Sequence, residues 1–194
     1  MQSTVGTHHV ESEERIENVR MGMWLFLSSE VMFFTAFFGM YIILRISHPE
    51  LYHPHQLNIP LATVNSIILL TSSYFMAMAV HEVKKGNTQK LSSNLLITLI
   101  LGVVFLIIKG IEYDIDFQHH IFPSTNLFYG CYYTLTGLHG VHMIVGVVIL
   151  FILWLRAKRG DFSSSYYSPI VSFGLYWSFV EIVWFFIYAM VYLV

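Results

Sequence analysis

Residues 21–44 read MGMWLFLSSEVMFFTAFFGMYIIL, an unbroken apolar run carrying one acid, Glu30, and no base. At about 1.5 Å of rise per residue such a run covers roughly 36 Å as a helix, more than the ~30 Å hydrocarbon layer of a bilayer. It is also longer than the core of a signal peptide, and the polar, acidic residues before it (Glu11, Glu13, Glu14, Glu17) do not suit one, so the run is expected to stay in the membrane. Four further stretches of the same kind follow, which places the spans at about 21–44, 61–81, 93–112, 127–155 and 170–194. The expected fold is an all-α integral membrane protein: a polar tail at 1–20, mobile or used for docking, then a single five-helix bundle over 21–194.

Composition agrees with the spans. Hydrophobic residues make up 56% of the 194 and charged ones 11%, against about 25% charged in an ordinary soluble domain. Twelve acids and ten bases leave a formal charge of −2, so there is no basic surplus for nucleic-acid phosphates. The single cysteine, Cys131, permits no internal disulfide, and no CxxC pair suggests zinc.

Basic residues in short loops mark the cytoplasmic side. Arg15, Arg20, Lys84, Lys85, Lys90, Arg156, Lys158 and Arg159 fall on one side of the five spans; only Arg45 and Lys109 lie toward the other. The N-terminus is therefore expected in the cytoplasm and the C-terminus on the periplasmic or extracellular side. Pro169 just before the last span suits a helix start.

A carboxylate near the bilayer centre costs at least about 2.5–3.5 kcal/mol on insertion scales, so Glu30 and Glu181 each need a partner, a proton or water. Counted along their helices, both lie roughly 13–17 Å from the inner end and His142 roughly 20 Å, so the three are expected in one layer. His139 precedes His142 by one turn on a shared face. Glu30 is thus expected to bond His142 or His139. As plain structure, each of these groups is interhelical glue; two imidazoles one turn apart on one helix cannot sandwich a haem iron. The other histidines fall in the tail or loops and read as solvated. Lys109 and Glu112, three apart near the end of the third span, are expected to neutralise each other. In TLTGLHGVHMIVG, Thr136, Gly137, Gly140 and Gly146 read as a packing seam, because small residues let helices approach.

Taken together, four segments resemble subunit III of the haem-copper respiratory oxidases: WLFLSSEVMFF (24–34), with Trp24 and Glu30; IKGIEY (108–113), with Glu112; YYTLTGLHGVHMIVG (132–146), with Gly137, His139, Gly140 and His142; and YWSFVEIVW (176–184), with Tyr176, Trp177, Glu181 and Trp184. They occur in that family's order over nearly the whole chain. The resemblance is to the short, five-helix bacterial form, without the two helices that precede this core in longer members. A histidine usual after the Tyr-Trp pair is Ser178 here. The resemblance implies a non-catalytic subunit of a hetero-oligomeric, proton-pumping oxidase in a bacterial inner membrane. Its partners are the catalytic subunit I, subunit II and membrane lipids. It holds no cofactor in this chain; haem and copper belong to the partner subunits, and phospholipid is bound. It also implies support of proton uptake and protection of the metal centre, with Glu30 as a protonated hydrogen-bonding node. The closeness of TGLHGVHMIVG to the cytochrome c branch favours that electron donor. Other readings stay open on the residues alone: a quinol oxidase subunit, an accessory subunit of a nitric-oxide reductase, a structural scaffold, and a small proton-coupled transporter, against which the absence of repeat symmetry counts.

Overall fold

A computed structural model describes residues 3–49, 59–124, 126–163 and 166–193, with side chains from residue 17 onward. Five helices are long and apolar enough to cross a membrane: α1 (Ser3–Ser47), α2 (Ile59–Lys84), α3 (Thr88–Gln118), α4 (Leu127–Arg159) and α5 (Ser168–Ile187), the last continued by a π-helical segment, Tyr188–Leu193. Among the described residues there is no strand, only an isolated bridge between Ser163 and Tyr166.

The helices run past the apolar windows into polar flanks and stop where a cap satisfies the chain ends. Asn87 accepts from the Lys90 amide at 3.2 Å and Asn126 from the Tyr129 amide at 2.9 Å, opening α3 and α4. Gly160 closes α4 in the left-handed conformation (φ 81°), and Pro169 sits in the first turn of α5. The largest extension is at the N-terminus. Residues 3–20, expected as a tail, continue α1 as helix, and no proline interrupts the chain before Pro49. The loop bearing Pro54, His53 and His55 lies outside the described residues.

α2 and α3 form the most closely packed pair, while α5 is the axis of the bundle and touches α1, α2 and α4. Two-thirds (67%) of the apolar window of α5 is buried, against 17% for α1. Exteriors are apolar (Leu25, Met32, Ile43, Ile67, Val148), and polar groups such as Asn65, Ser66, Thr98, Lys109, Glu112 and His139 turn inward. Hydrocarbon outside makes this the stable distribution.

Trp177 locks α5 to α2, α3 and α4. Its indole nitrogen donates to Ser72 Oγ at 3.0 Å, and its ring is held between two glycines. A Cβ on Gly102 would lie 2.9 Å from the ring and 3.2 Å from Val147; one on Gly146 would lie 3.1 Å from it. Gly137 and Gly140 behave differently from the expected seam, since a Cβ on either meets nothing within 4 Å inside this chain. Both are half-buried, and within this chain it is Gly146, the last member of that seam, that supplies the close approach. Gly102→Ala is therefore expected to destabilise the bundle by about 1–3 kcal/mol, because the indole is pinned on both sides. Gly137→Ala should be neutral, or more stable by up to about 1 kcal/mol through helix propensity alone. Melting of the purified complex in detergent separates the two.

Candidate functional site

Glu30 on α1 and His142 on α4 meet at 3.0 Å between Oε2 and Nε2, both about four-fifths buried. The other ring nitrogen of His142 lies 2.8 Å from the Leu138 carbonyl. A carbonyl only accepts, so Nδ1 carries a proton. It follows that one further proton lies on the Glu30–His142 contact, either on the acid facing a bare Nε2 or on Nε2 facing a carboxylate. In both forms the pair is neutral, which suits its depth. Phe34, one turn after Glu30, packs against the imidazole at 5.3 Å. Tyr176 donates to the His142 carbonyl at 2.9 Å, tying α5 to the same point.

The pair stands in a groove of about 420 Å3 between α1, α4 and α5, walled by Phe26, Val145, Ile149 and Phe173. Trp24, nearby on α1, is 56% exposed on the outer surface.

The histidines do not share a face in the way their spacing suggests. Three residues turn a helix by about 300°, leaving some 60° between them, and here that angle separates two neighbourhoods. His139 is buried among Phe105 (5.8 Å) and Trp184 (5.3 Å) in the bundle core. Neither of its ring nitrogens has a protein partner among the described residues.

Glu181 also stays apart from Glu30 and His142. It lies on the α2-facing stripe of α5 with Trp177 and Trp184, at i, i+4 and i+7. Two serines on α2 answer that stripe: Ser72 accepts from Trp177 and Ser66 from Trp184 at 2.9 Å, while Glu181 Oε1 is buried without a partner among the described residues. The expected single layer of three groups thus divides into a pair on one side of α5 and a glutamate on the other. Ser178, at the position of the missing histidine, faces outward.

A second polar cluster fills the space between α3, α4 and the π-helical end. Lys109, Glu112 and Asp116 lie on one face of α3 and are almost fully buried. Lys109 Nζ is 3.1 Å from Glu112 Oε2 and donates to Tyr192 Oη at 2.6 Å. That hydroxyl donates in turn to Glu112 Oε1 at 2.6 Å. Tyr132 Oη lies 3.2 Å from both Lys109 and Glu112 Oε1, and 3.4 Å from Asp116 Oδ2. The rings of Tyr113, Tyr132, Trp184 and Tyr192 surround the ammonium at 5.1–5.5 Å, within cation–π range. Mutual neutralisation of Lys109 and Glu112 is therefore one contact in a larger network. Asp116, Tyr132 and Tyr192 are its members that sequence reading missed. The i, i+3, i+7 spacing of the three charges carried the signal for Asp116.

Among the described residues no group of three or more His, Cys, Asp or Glu is placed to hold a metal ion.

Comparison with known proteins agrees with the motifs on which these groups sit. A family model for cytochrome c oxidase subunit III matches residues 1–194. Cytochrome c oxidase subunit 3 of Loxodonta africana is 31% identical over 201 residues, covering 98% of this chain and 74% of the relative. The subunits of Aepyceros melampus and Equus caballus are each 32% identical with the same coverage. Five membrane-capable helices, four motifs in order and a match along the whole length lead to one assignment: the chain belongs to the cytochrome c oxidase subunit III family.

Proposed function

We propose that this chain is a non-catalytic subunit III of a proton-pumping terminal oxidase that reduces oxygen to water and takes electrons from cytochrome c. In this reading it lies in a bacterial inner membrane with its N-terminus in the cytoplasm. It supports proton uptake and the durability of the catalytic subunit, and it binds lipid. Haem and copper reside in subunits I and II.

The observation that carries the reading is the Glu30–His142 contact. Two motifs more than a hundred residues apart put an acid and an imidazole 3.0 Å from each other inside an apolar-walled groove. A pair that shares one proton across its contact and carries no net charge fixes α1 against α4 and gives the groove a polar floor. Its groups join α1, α4 and, through Tyr176, α5. This makes Glu30 a hydrogen-bonding node whose work is positional. The apolar walls beyond it suit an acyl chain. The relatives' printed name supports cytochrome c as donor.

Two variants of the assembled oxidase test this. Glu30→Gln keeps a neutral donor for Nε2 and should retain normal recovery of the chain with the complex. Glu30→Ala leaves His142 without its partner and should destabilise the chain by about 1–3 kcal/mol, with activity falling progressively under sustained turnover. Equal loss in both variants contradicts the hydrogen-bonding role. Undiminished long-term turnover of an oxidase purified without this chain contradicts the functional reading as a whole.

A further inference from the structure

At the end of the bundle where α3 begins and α4 ends lies a second groove, about 440 Å3, with no carboxylate among its lining residues. Lys158 and Arg159 stand on its α4 side, and Thr88, Ser92 and Ser93 on its α3 side. One step deeper it is floored by Leu96 and Trp154. We propose that this groove binds an anionic phospholipid, its phosphate held between Lys158 and Arg159 and its acyl chain leaving past Trp154 and Leu96. The inference rests on reading the chain as a lipid-binding membrane subunit and adds where one lipid sits and what headgroup charge selects it.

The arrangement follows the gradient of a phospholipid at the membrane interface. Counting along the helices, Leu96 lies roughly 12 Å below the start of α3 and Trp154 roughly 8 Å before the end of α4. The polar groups therefore sit at headgroup level and the apolar ones at the top of the hydrocarbon, where tryptophan is enriched. Trp154 also lies under the Lys158 ammonium at 5.5 Å, which holds that cation over the groove.

Neighbouring cations have other engagements or positions. Arg156, one turn back from Arg159, donates to Asp161 at 3.3 Å and lies over Phe162 at 5.2 Å. Lys84, Lys85 and Lys90 share this end of the bundle but do not line the groove. At the helix end itself, Asn87 caps the Lys90 amide. Recognition thus falls to the two side-chain cations with the α3 hydroxyls beside them. A basic residue near a membrane surface favours an anionic lipid by about fivefold, so two together should give roughly twenty-fivefold.

The test uses the whole oxidase in nanodiscs of phosphatidylcholine, doped with photoreactive phosphatidylglycerol or photoreactive phosphatidylcholine, with adducts mapped to peptides. Peptides holding Leu96 and Trp154 should be labelled far more by the glycerol lipid. Lys158→Gln with Arg159→Gln should remove that preference, and Lys85→Gln should leave it. Equal labelling by both lipids overturns the proposal. So does an equal fall in the Lys85 variant, which would mean a diffuse surface potential. Loss of labelling on adding inorganic phosphate, beyond the effect of chloride at equal ionic strength, would assign the groove to free phosphate and overturn it too. Labelling of the α1–α4–α5 groove in the same sample reports separately on lipid binding by the chain. Adducts there with none at Trp154 sink this inference alone.

Discussion

Lys109→Met is expected to cost the bundle about 3–5 kcal/mol, enough for most of the chain to be lost from the purified complex. The reason is what the substitution leaves behind. Glu112 is 1% exposed and Asp116 3% exposed, and Lys109 is the cation at the centre of their cluster. Methionine nearly matches the stem of lysine in volume, so packing changes little and the loss reads the uncompensated charge. Removing the nearest acid as well should reverse much of it, because a buried pair replaced by apolar groups of similar size is often neutral or better. Lys109→Met combined with Glu112→Leu should therefore be recovered at close to the original level, which requires a coupling between the sites at least as large as the loss from Lys109→Met alone, about 3–5 kcal/mol. Denaturation midpoints of the four proteins in one detergent measure the coupling. Additive losses would mean that the tyrosines and Asp116 hold the cluster without the ion pair. The ammonium would then owe its stability to the four surrounding rings.

That cluster also marks the boundary of what the sequence made legible. Spans were readable because hydrocarbon imposes a length and a composition that no soluble helix needs. Five helices, the position of Pro169 and the contact of Glu30 with a histidine all followed from counting residues. Asp116 escaped because the apolar window ends near Glu112, whereas the helix ends at Gln118; backbone bonding continued where hydropathy stopped. Tyr192 escaped for a different reason. It reaches Lys109 from the π-helical segment, whose register no composition announces. The same segment turns the Met190 carbonyl toward Tyr41 Oη (2.9 Å) and Arg45 (3.2 Å) of α1, so the end of the chain is bound to its first span. Of the expected seam, Gly146 meets a neighbour inside this chain; at Gly137 and Gly140 small residues show where approach is possible, not which neighbour takes it. Trp177 took Gly102 and Gly146. Depth alone groups Glu181 with Glu30, and depth along a helix says nothing about which side of it a residue occupies.

Trp184→Ala should be the other severe substitution, at about 3–5 kcal/mol. Trp184 is fully buried and lies where three neighbourhoods join. Its ring stands edge-on to Phe105 at 4.9 Å, faces His139 at 5.3 Å, and lies 5.5 Å from the Lys109 ammonium. Burial from water is a small term inside a membrane, since lipid is as apolar as the core. The loss comes from dispersion contacts that a dry void cannot replace. Its hydrogen bond to Ser66 is the lesser part. Ser66 still donates to the Ala62 carbonyl at 2.9 Å, so losing the indole donor strands only one lone pair. Trp184→Phe keeps most of the ring and removes the N–H, and it should cost about 1–2 kcal/mol. The ordering of the two variants, read as melting of the intact complex, decides between the terms. If phenylalanine is as damaging as alanine, the bond to α2 governs and packing around His139 does not. If alanine is far worse, the indole is the spacer that holds the His139 imidazole and the buried Lys109 ammonium in place. Lys109→Met and Trp184→Ala should then be markedly less than additive, since each removes one side of the same cage.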